Sequence, residues 1–165
     1  MNPVKVRNIT IGEGTPKICV PIVGVTKKEI LEAGKNICTI GADVIEWRVD
    51  WYENVFDFDQ VEETAKELRN VIGETALLFT FRTAKEGGEK AIETDAYVAL
   101  NERAAKSGQV DLVDVEAFTG ETAVKQIIET AHATGVKVVA SNHDFHKTPA
   151  QEEIVSVSYT HLRAH

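Results

Sequence analysis

The segment "SNHDFHKTP", from Ser141 to Pro149, contains two histidines three residues apart around an aspartate. It follows the apolar run "GVKVVA" and precedes a proline that marks a helix start. Histidine exchanges protons near neutral pH and is also a common metal ligand. Three interpretations are therefore open: an acid/base site at His143, a metal site made of His143, Asp144 and His146, or a loop without a chemical role.

The spacing of the two histidines favours acid/base chemistry over metal binding. Two imidazoles in an HxxH pattern outside a helix do not share one surface as those of HExxH do, and a metal would need further ligands. His143 directly follows the end of a predicted strand, where catalytic side chains of parallel barrels are found. We therefore predict that His143 is an acid/base group and that His146 is a loop residue.

Charged residues alternate with apolar residues in three of the predicted strands. In "DVIEWRVD" one face carries Glu46, Arg48 and Asp50, because the side-chain period of a strand is two. The runs "ALLFTFR" and "VDLVDVEAF" place on the corresponding face Arg82, Asp114 and Glu116. A solvated edge strand could carry such charges, but three successive strands cannot all be edges. The pattern predicts a polar mouth at one end of the sheet.

The order of the predicted elements indicates an α/β protein. Five β-branched runs, the first being "KICVPIVG" and the last "VKVVASNH", alternate with helical patterns at Lys27 to Lys35, Phe58 to Val71, Thr94 to Ser107 and Thr122 to Thr134. A doubly wound sheet would have nearly all-apolar strands. We therefore predict the (β/α)8 TIM-barrel class, here a partial barrel of about five βα units. An N-terminal β-hairpin is predicted in "VKVRNITIGEGTP", around Gly12 and Gly14.

Composition restricts the function further. The 165 residues predict one globular domain, and a net charge of −8 argues against binding to nucleic acid or to a membrane surface. A small polar substrate fits this charge better. No apolar stretch approaches the length of a membrane span, so a cytoplasmic protein is predicted. Cys19 and Cys38 lie in apolar runs without metal or disulfide spacing, which predicts two buried free thiols.

Four motifs, in this order and spacing, give the chain a resemblance to a known family. "EWRVDWYE", "FTFRTAKEGGE", "LVDVE" and "SNHDFHKTP", after "PKICVPIVG", resemble type I 3-dehydroquinate dehydratase. The resemblance extends from about Val4 to about Val155. It implies a TIM barrel, usually a homodimer, and a lyase of the shikimate pathway, which leads to chorismate and the aromatic amino acids. No cofactor is implied.

The resemblance also implies roles for particular residues. The family dehydrates 3-dehydroquinate to 3-dehydroshikimate through an imine (Schiff base) between the substrate ketone and a lysine. His143 matches the catalytic proton shuttle, and Glu86 matches its paired carboxylate, whose charge would favour the imidazolium form. The matches to substrate-binding residues are Glu46, Arg48 and Arg82. Asp114 is expected to be a supporting charge.

The chain departs from the family pattern near its end. The imine-forming lysine of the family belongs to a sixth strand beyond the matched motifs, and Lys85 and Lys147 match no catalytic position. We predict a domain at residues 1–155 and a non-family tail at 156–165, in which His161 and His165 have no role. A fragment of this kind is expected to lack dehydratase activity and to self-associate through its sheet edges. Two alternatives remain: a non-catalytic partial barrel that binds polyols or self-associates, and a metal-dependent barrel hydrolase.

Overall fold

Residues 3–155 are described by a computed structural model, and they form an α/β fold with an N-terminal hairpin. The hairpin consists of β1 (Val4–Val6) and β2 (Ile9–Ile11). The parallel sheet consists of β3 (Cys19–Ile22), β4 (Val44–Arg48), β5 (Ala76–Thr80), β6 (Leu112–Glu116) and β7 (Lys137–Ser141). The helices between these strands are α1 (Lys27–Ile40), α2 (Phe58–Ile72), α3 (Thr94–Lys106) and α4 (Glu121–Ala133).

The strand order distinguishes a barrel from a doubly wound sheet. Each strand pairs in parallel with the next strand along the chain, which gives the order β3-β4-β5-β6-β7. A doubly wound sheet reverses its strand order at a switch point, whereas a TIM barrel does not. The prediction of about five βα units of a partial barrel is therefore confirmed. Within residues 3–155 the sheet remains open, with β3 and β7 at its edges.

One face of the sheet packs against the helices. Ile45, Trp47 and Phe79 are completely buried in this layer, together with residues from all four helices. The Trp47 and Phe79 rings meet edge to face, with centroids 5.7 Å apart. This confirms that the apolar residues of "VIEWRVD" face the helices. The alternate residues of the strands must therefore point to the other face.

The inner face is apolar at the N-terminal ends of the strands. Val44, Leu78 and Leu112 form a separate buried cluster, which packs against Val6 and other apolar residues of the hairpin. The hairpin thus closes the N-terminal end of the sheet, and its presence confirms the predicted N-terminal hairpin. Its turn lies at Arg7 and Asn8, where Arg7 has a φ of 49°, and not at the glycines that suggested it.

Local signals explain where the helices begin and end. Thr26 caps α1 through its side chain, and Glu29 completes the capping box by accepting the Thr26 backbone N–H at 2.9 Å. The helix continues to Ile40, five residues beyond the predicted Lys35, and ends at Gly41 in the left-handed conformation. The other three helices agree with the predicted bounds to within one residue.

The sequence also led to expectations about the two cysteines and about the C-terminal tail. Both thiols are exposed, so the prediction of buried cysteines is wrong. Cys19 lies on the edge strand β3, and Cys38 lies near the C-terminal end of α1, where its Sγ is 4.0 Å from the Ile72 carbonyl oxygen. The predicted tail at 156–165, with His161 and His165, lies outside the described residues. In the described part of the chain, no helix combines the length and apolarity that crossing a membrane requires.

Candidate active site

Arg82 is the centre of a buried charge network at the C-terminal ends of the strands. Its side chain is only 8% exposed, and it lies two residues after the end of β5. The guanidinium pairs with three carboxylates, at 3.3 Å from Glu86, 2.9 Å from Asp114 and 3.0 Å from Glu116. It also donates to the Ser141 hydroxyl at 2.9 Å. Strands β5, β6 and β7 therefore meet at one arginine.

Glu116 fixes the chain that follows β5. Its Oε1 accepts the backbone N–H of Thr83 at 2.8 Å, and its Oε2 accepts the Thr83 hydroxyl at 2.8 Å. The backbone N–H of Glu116 in turn donates to the Tyr97 hydroxyl at 3.0 Å. Every polar atom of this buried carboxylate therefore has a partner, as a buried charge requires.

Glu86 joins the Arg82 network to His143. Its Oε2 lies 3.1 Å from Nδ1 of His143 and accepts the backbone N–H of the same residue at 2.9 Å. The Glu86 side chain is 10% exposed, whereas that of His143 is 44% exposed. A proton on Nδ1 would be held by the carboxylate, which leaves Nε2 as the ring nitrogen for proton transfer. The pair has the geometry of an oriented acid/base.

The turn that carries Glu86 is compact because two glycines allow close approach. A Cβ on Gly88 would lie 1.8 Å from the Arg82 carbonyl oxygen, and one on Gly87 would lie 2.5 Å from the Phe145 ring. The Gly88 N–H donates to the Thr83 carbonyl at 2.8 Å. The sequence "TAKEGGE" therefore folds back on itself and sets the position of Glu86.

Asp50 and Arg48 form a second charge pair at the end of β4. The guanidinium donates to both carboxylate oxygens, Nε to Oδ1 and Nη2 to Oδ2, each at 2.8 Å. Asp50 is completely buried, whereas the Arg48 side chain is 22% exposed. Asp50 lies in a 3₁₀ turn after the strand and not on the strand itself. Its hydrogen bonds raise the pKa of Arg48, which stays charged.

Asp114 is the member of the network whose ionisation is most disturbed. Burial raises its pKa from 3.8 to about 6, although Arg82 and Ser141 act in the opposite direction. The charge of Glu46 raises this pKa further. Glu46 pairs in register with Leu78, which belongs to the inner apolar cluster, so Glu46 lies on the same inward side of the sheet. The mouth thus contains more carboxylates than guanidinium groups, and it suits a ligand that donates hydrogen bonds.

The three suggested metal ligands do not form a cluster in the described part of the chain. Within residues 3–155, no three side chains of His, Cys, Asp or Glu come together in a way that could hold a metal ion. Asp144, one of the three suggested ligands, instead accepts the backbone N–H groups of His146 and Lys147 at 2.9 and 3.0 Å. Through these hydrogen bonds the Asp144 side chain stabilises a turn in the loop.

The structure brings the predicted site residues to one end of the sheet. His143, Glu86 and Arg82 are joined by direct contacts. Arg48 is the last residue of β4, and Glu46 lies two residues before it on the same strand. Sequence reasoning missed the parts played by Thr83 and Ser141, which bind Glu116 and Arg82. Hydroxyl residues at strand ends are common, and only the three-dimensional arrangement distinguishes these two.

Comparisons with known proteins identify the family to which the chain is similar. The family model described as type I 3-dehydroquinase matches residues 18–164. A 3-dehydroquinate dehydratase from Listeria monocytogenes serotype 4a is 56% identical over 156 residues, which are 94% of this chain and 62% of that protein. One from Clostridium botulinum is 52% identical over 93% of this chain and 60% of that protein. The chain therefore spans about three fifths of the length of these relatives.

Solved structures of similar proteins share the fold closely. The type I 3-dehydroquinate dehydratase of Clostridium difficile, solved with covalently modified comenic acid, has a TM-score of 0.90 and 52% identity over 94% of this chain and 61% of that chain. The enzyme of Geobacillus kaustophilus has a TM-score of 0.91 and 34% identity over 98% of this chain and 63% of that chain. On the family match, the identity and the shared fold, this chain belongs to the type I 3-dehydroquinase family.

Proposed function

We propose that the protein to which this chain belongs dehydrates 3-dehydroquinate to 3-dehydroshikimate. The observation that carries the proposal is the His143–Glu86 pair, 3.1 Å apart, at the C-terminal mouth of a parallel barrel sheet. A dehydration next to a ketone needs a base for the C2 proton and an acid for the departing hydroxyl. One histidine that gains a proton in the first step can return it in the second.

The chemistry proposed is imine catalysis. An amine adds to the substrate ketone and water leaves, so that the imine accepts the electron pair released when His143 removes the C2 proton. The enamine then expels the C1 hydroxyl, which leaves as water with the proton from His143. Hydrolysis of the imine releases the enone and restores the amine. The net change is the loss of one water molecule.

The amine is not supplied by the lysines near the site. Lys90 donates to the backbone carbonyls of Asp50 and Tyr52, at 2.9 and 2.7 Å, and therefore has a structural role. Lys85, in the 3₁₀ turn before Gly87, and Lys147, in a loop, are both exposed. We propose that the lysine lies on a further strand, as the family resemblance implies.

In this proposal Glu46, Arg48 and Arg82 bind the substrate hydroxyls. The excess of carboxylates around the two arginines supports a polyol ligand, because each hydroxyl can donate to a carboxylate and accept from a guanidinium. The negative charge of the chain supports a small-molecule partner and not nucleic acid or a membrane. We further propose a cytoplasmic enzyme that is a homodimer at full length; light scattering would test that oligomeric state.

The test is an assay of the conjugated enone product by its ultraviolet absorbance. We would compare this chain with a chimera in which residues 1–155 are followed by the part of the Clostridium difficile enzyme that the chain does not match. Turnover by the chimera, and its loss in His143→Ala, would support the proposal. A folded chimera without turnover above a protein-free control would contradict it.

A second candidate is a non-catalytic polyol-binding protein. It is favoured by the absence, within residues 3–155, of a lysine contact to Glu86 or His143 among the salt bridges and hydrogen bonds of the site. Borohydride reduction in the presence of 3-dehydroquinate separates the two candidates. An adduct seen by mass spectrometry requires a reactive amine, whereas binding without an adduct indicates a scaffold.

A further inference from the structure

The Asp50 carboxylate contacts Arg48 and both ends of the turn that carries Glu86, while being closed to solvent. Both oxygens pair with the Arg48 guanidinium at 2.8 Å. Oδ1 also accepts the backbone N–H of Arg82 at 3.3 Å, and Oδ2 accepts that of Glu89 at 3.1 Å. Its exposed fraction is zero, so it cannot contact a ligand itself.

These contacts connect groups that the proposed reaction uses. The bidentate pair takes two of the five N–H groups of Arg48 and leaves three outside the pair, in a fixed plane. The backbone contacts hold the two ends of the turn that carries Glu86. The backbone carbonyl of Asp50 also accepts from Lys90 at 2.9 Å, which secures the 3₁₀ turn to the same loop.

We propose that Asp50 is a positioning residue, which orients the Arg48 guanidinium for the ligand and seats the turn from Arg82 to Glu89. The inference rests on the proposed function for the identity of the ligand. Asp50 acts entirely through Arg48 and through the backbone of the turn. Its removal should therefore affect ligand affinity as well as folding.

Asp111 provides a matched control at the opposite end of the sheet. It also pairs with arginines, Arg7 at 2.6 Å and Arg69 at 2.6 Å, and accepts a strand N–H, that of Leu77, at 2.8 Å. Its side chain is 13% exposed. A purely structural role for Asp50 would make Asp50→Asn and Asp111→Asn behave alike.

The experiment combines proton exchange with ligand binding in this chain. By NMR, the Nε–H of Arg48 and the amide of Glu89 should exchange more slowly in the wild type than unpaired groups do. Asp50→Asn keeps one acceptor oxygen, whereas its amide nitrogen cannot accept a hydrogen bond, so at least one of the two groups should exchange about tenfold faster or more. Asp111→Asn should leave both exchange rates unchanged.

Calorimetric titration with 3-dehydroquinate supplies the second readout. Asp50→Asn should weaken binding by about tenfold, the effect of losing one well-oriented charged contact, and Asp111→Asn by less than about twofold. Equal weakening in both variants would overturn the positioning role. If the wild type does not bind 3-dehydroquinate, the ligand assignment of the proposed function fails, while the exchange comparison still decides whether Asp50 positions Arg48.

A variant that does not fold leaves the wild-type measurement decisive. Asp50 can orient Arg48 only if its Nε–H is protected in the folded chain. An Arg48 Nε–H that exchanges as rapidly as a free guanidinium would overturn the proposal without any substitution.

Discussion

Glu86 holds His143 at two points through a single oxygen. Its Oε2 accepts the backbone N–H of His143 at 2.9 Å and lies 3.1 Å from the ring Nδ1. Because the backbone and the ring share one acceptor, the position of the loop and the orientation of the imidazole are set together. Arg82, 3.3 Å from the same oxygen, links this pair to the rest of the charge network.

The first prediction concerns His143 itself. In the chimera with the Clostridium difficile enzyme, His143→Ala should reduce kcat by about 10²–10⁴-fold, because general acid/base catalysis has effects of that size. KM should change much less, since the proton transfers occur in the transition state. Steady-state rates from the enone absorbance measure both constants. His146→Ala, in the exposed loop, is the control, and near-normal turnover in His143→Ala would remove the residue from the mechanism.

The second prediction concerns the backbone beneath Glu86. Gly88→Ala places a Cβ 1.8 Å from the Arg82 carbonyl oxygen, so the turn must move. We expect a loss of about 1–3 kcal/mol in the free energy of unfolding, as for overpacked sites. The His143 amide should also lose its protection from hydrogen exchange, because Glu86 moves with the turn.

Gly108→Ala controls for the loss of a glycine alone. Gly108 has a φ of 71° and no atom within 4 Å of an added Cβ, so the substitution costs backbone strain of about 1–2 kcal/mol without steric contact. Urea unfolding and amide exchange would be compared in both variants. Retained protection of the His143 amide in Gly88→Ala would show that the close approach to Arg82 does not set the Glu86 turn.

The fold could be predicted from the sequence because its signals are local and repeated. Alternation in "VIEWRVD" separated Trp47, which packs under the helices, from Glu46, which pairs with the inward-facing Leu78. The prediction failed where a residue's surroundings depend on distant neighbours. Cys19 has an apolar local sequence, but it lies on an edge strand and is exposed. Sequence periodicity does not indicate which strand is at an edge.

The placement of the candidate residues at one end of the sheet could be predicted from the sequence, but the contacts between them could not. The strand face of Arg82 and the loop position of Glu86 followed from sequence and resemblance. The arrangement of three carboxylates around Arg82 could not be predicted from the sequence, because it depends on how neighbouring strands are shifted relative to one another. Asp50 was predicted on the strand face with Arg48. The chain instead turns after Arg48, which buries the Asp50 carboxylate behind the guanidinium.

The third prediction concerns the pH dependence of stability. Burial raises the pKa of Asp114 to about 6, above its value of 3.8 in an unperturbed chain. The folded state therefore binds this proton more tightly than the unfolded state does. The resulting stability is fully present below about pH 4 and is lost as the pH rises through about 6. Two pKa units correspond to about 3 kcal/mol.

Asp114→Asn removes this titration and isolates its contribution. Urea denaturation at several pH values would give the free energy of unfolding of the wild type and of the variant. As the pH rises from 4 to 7, the wild type should lose about 3 kcal/mol of stability relative to Asp114→Asn. Other titrating groups cancel in this difference. A difference that is constant across that range would show that Asp114 ionises normally in the folded protein.

The last prediction uses Cys19 to report on Glu46. Cys19 is exposed at the sheet edge, but partial desolvation of the thiol by its neighbours, followed by the charge of Glu46, raises its pKa from 9.0 to about 11. At pH 8 its thiolate should therefore be about a hundredfold scarcer than at the unperturbed pKa, and alkylation correspondingly slow. Glu46→Gln removes the second cause and should accelerate alkylation of Cys19 a few-fold, as measured by peptide mass spectrometry with iodoacetamide.

Two controls accompany this measurement. Cys38 provides an internal reference. The Asp43 carboxylate accepts the Ile18 N–H just before β3, and Asp43→Asn should leave the Cys19 rate unchanged. An unchanged Cys19 rate in Glu46→Gln would mean that the Glu46 carboxylate does not face the barrel interior beside β3, and it would then be excluded from the polyol-binding set with Arg48 and Arg82.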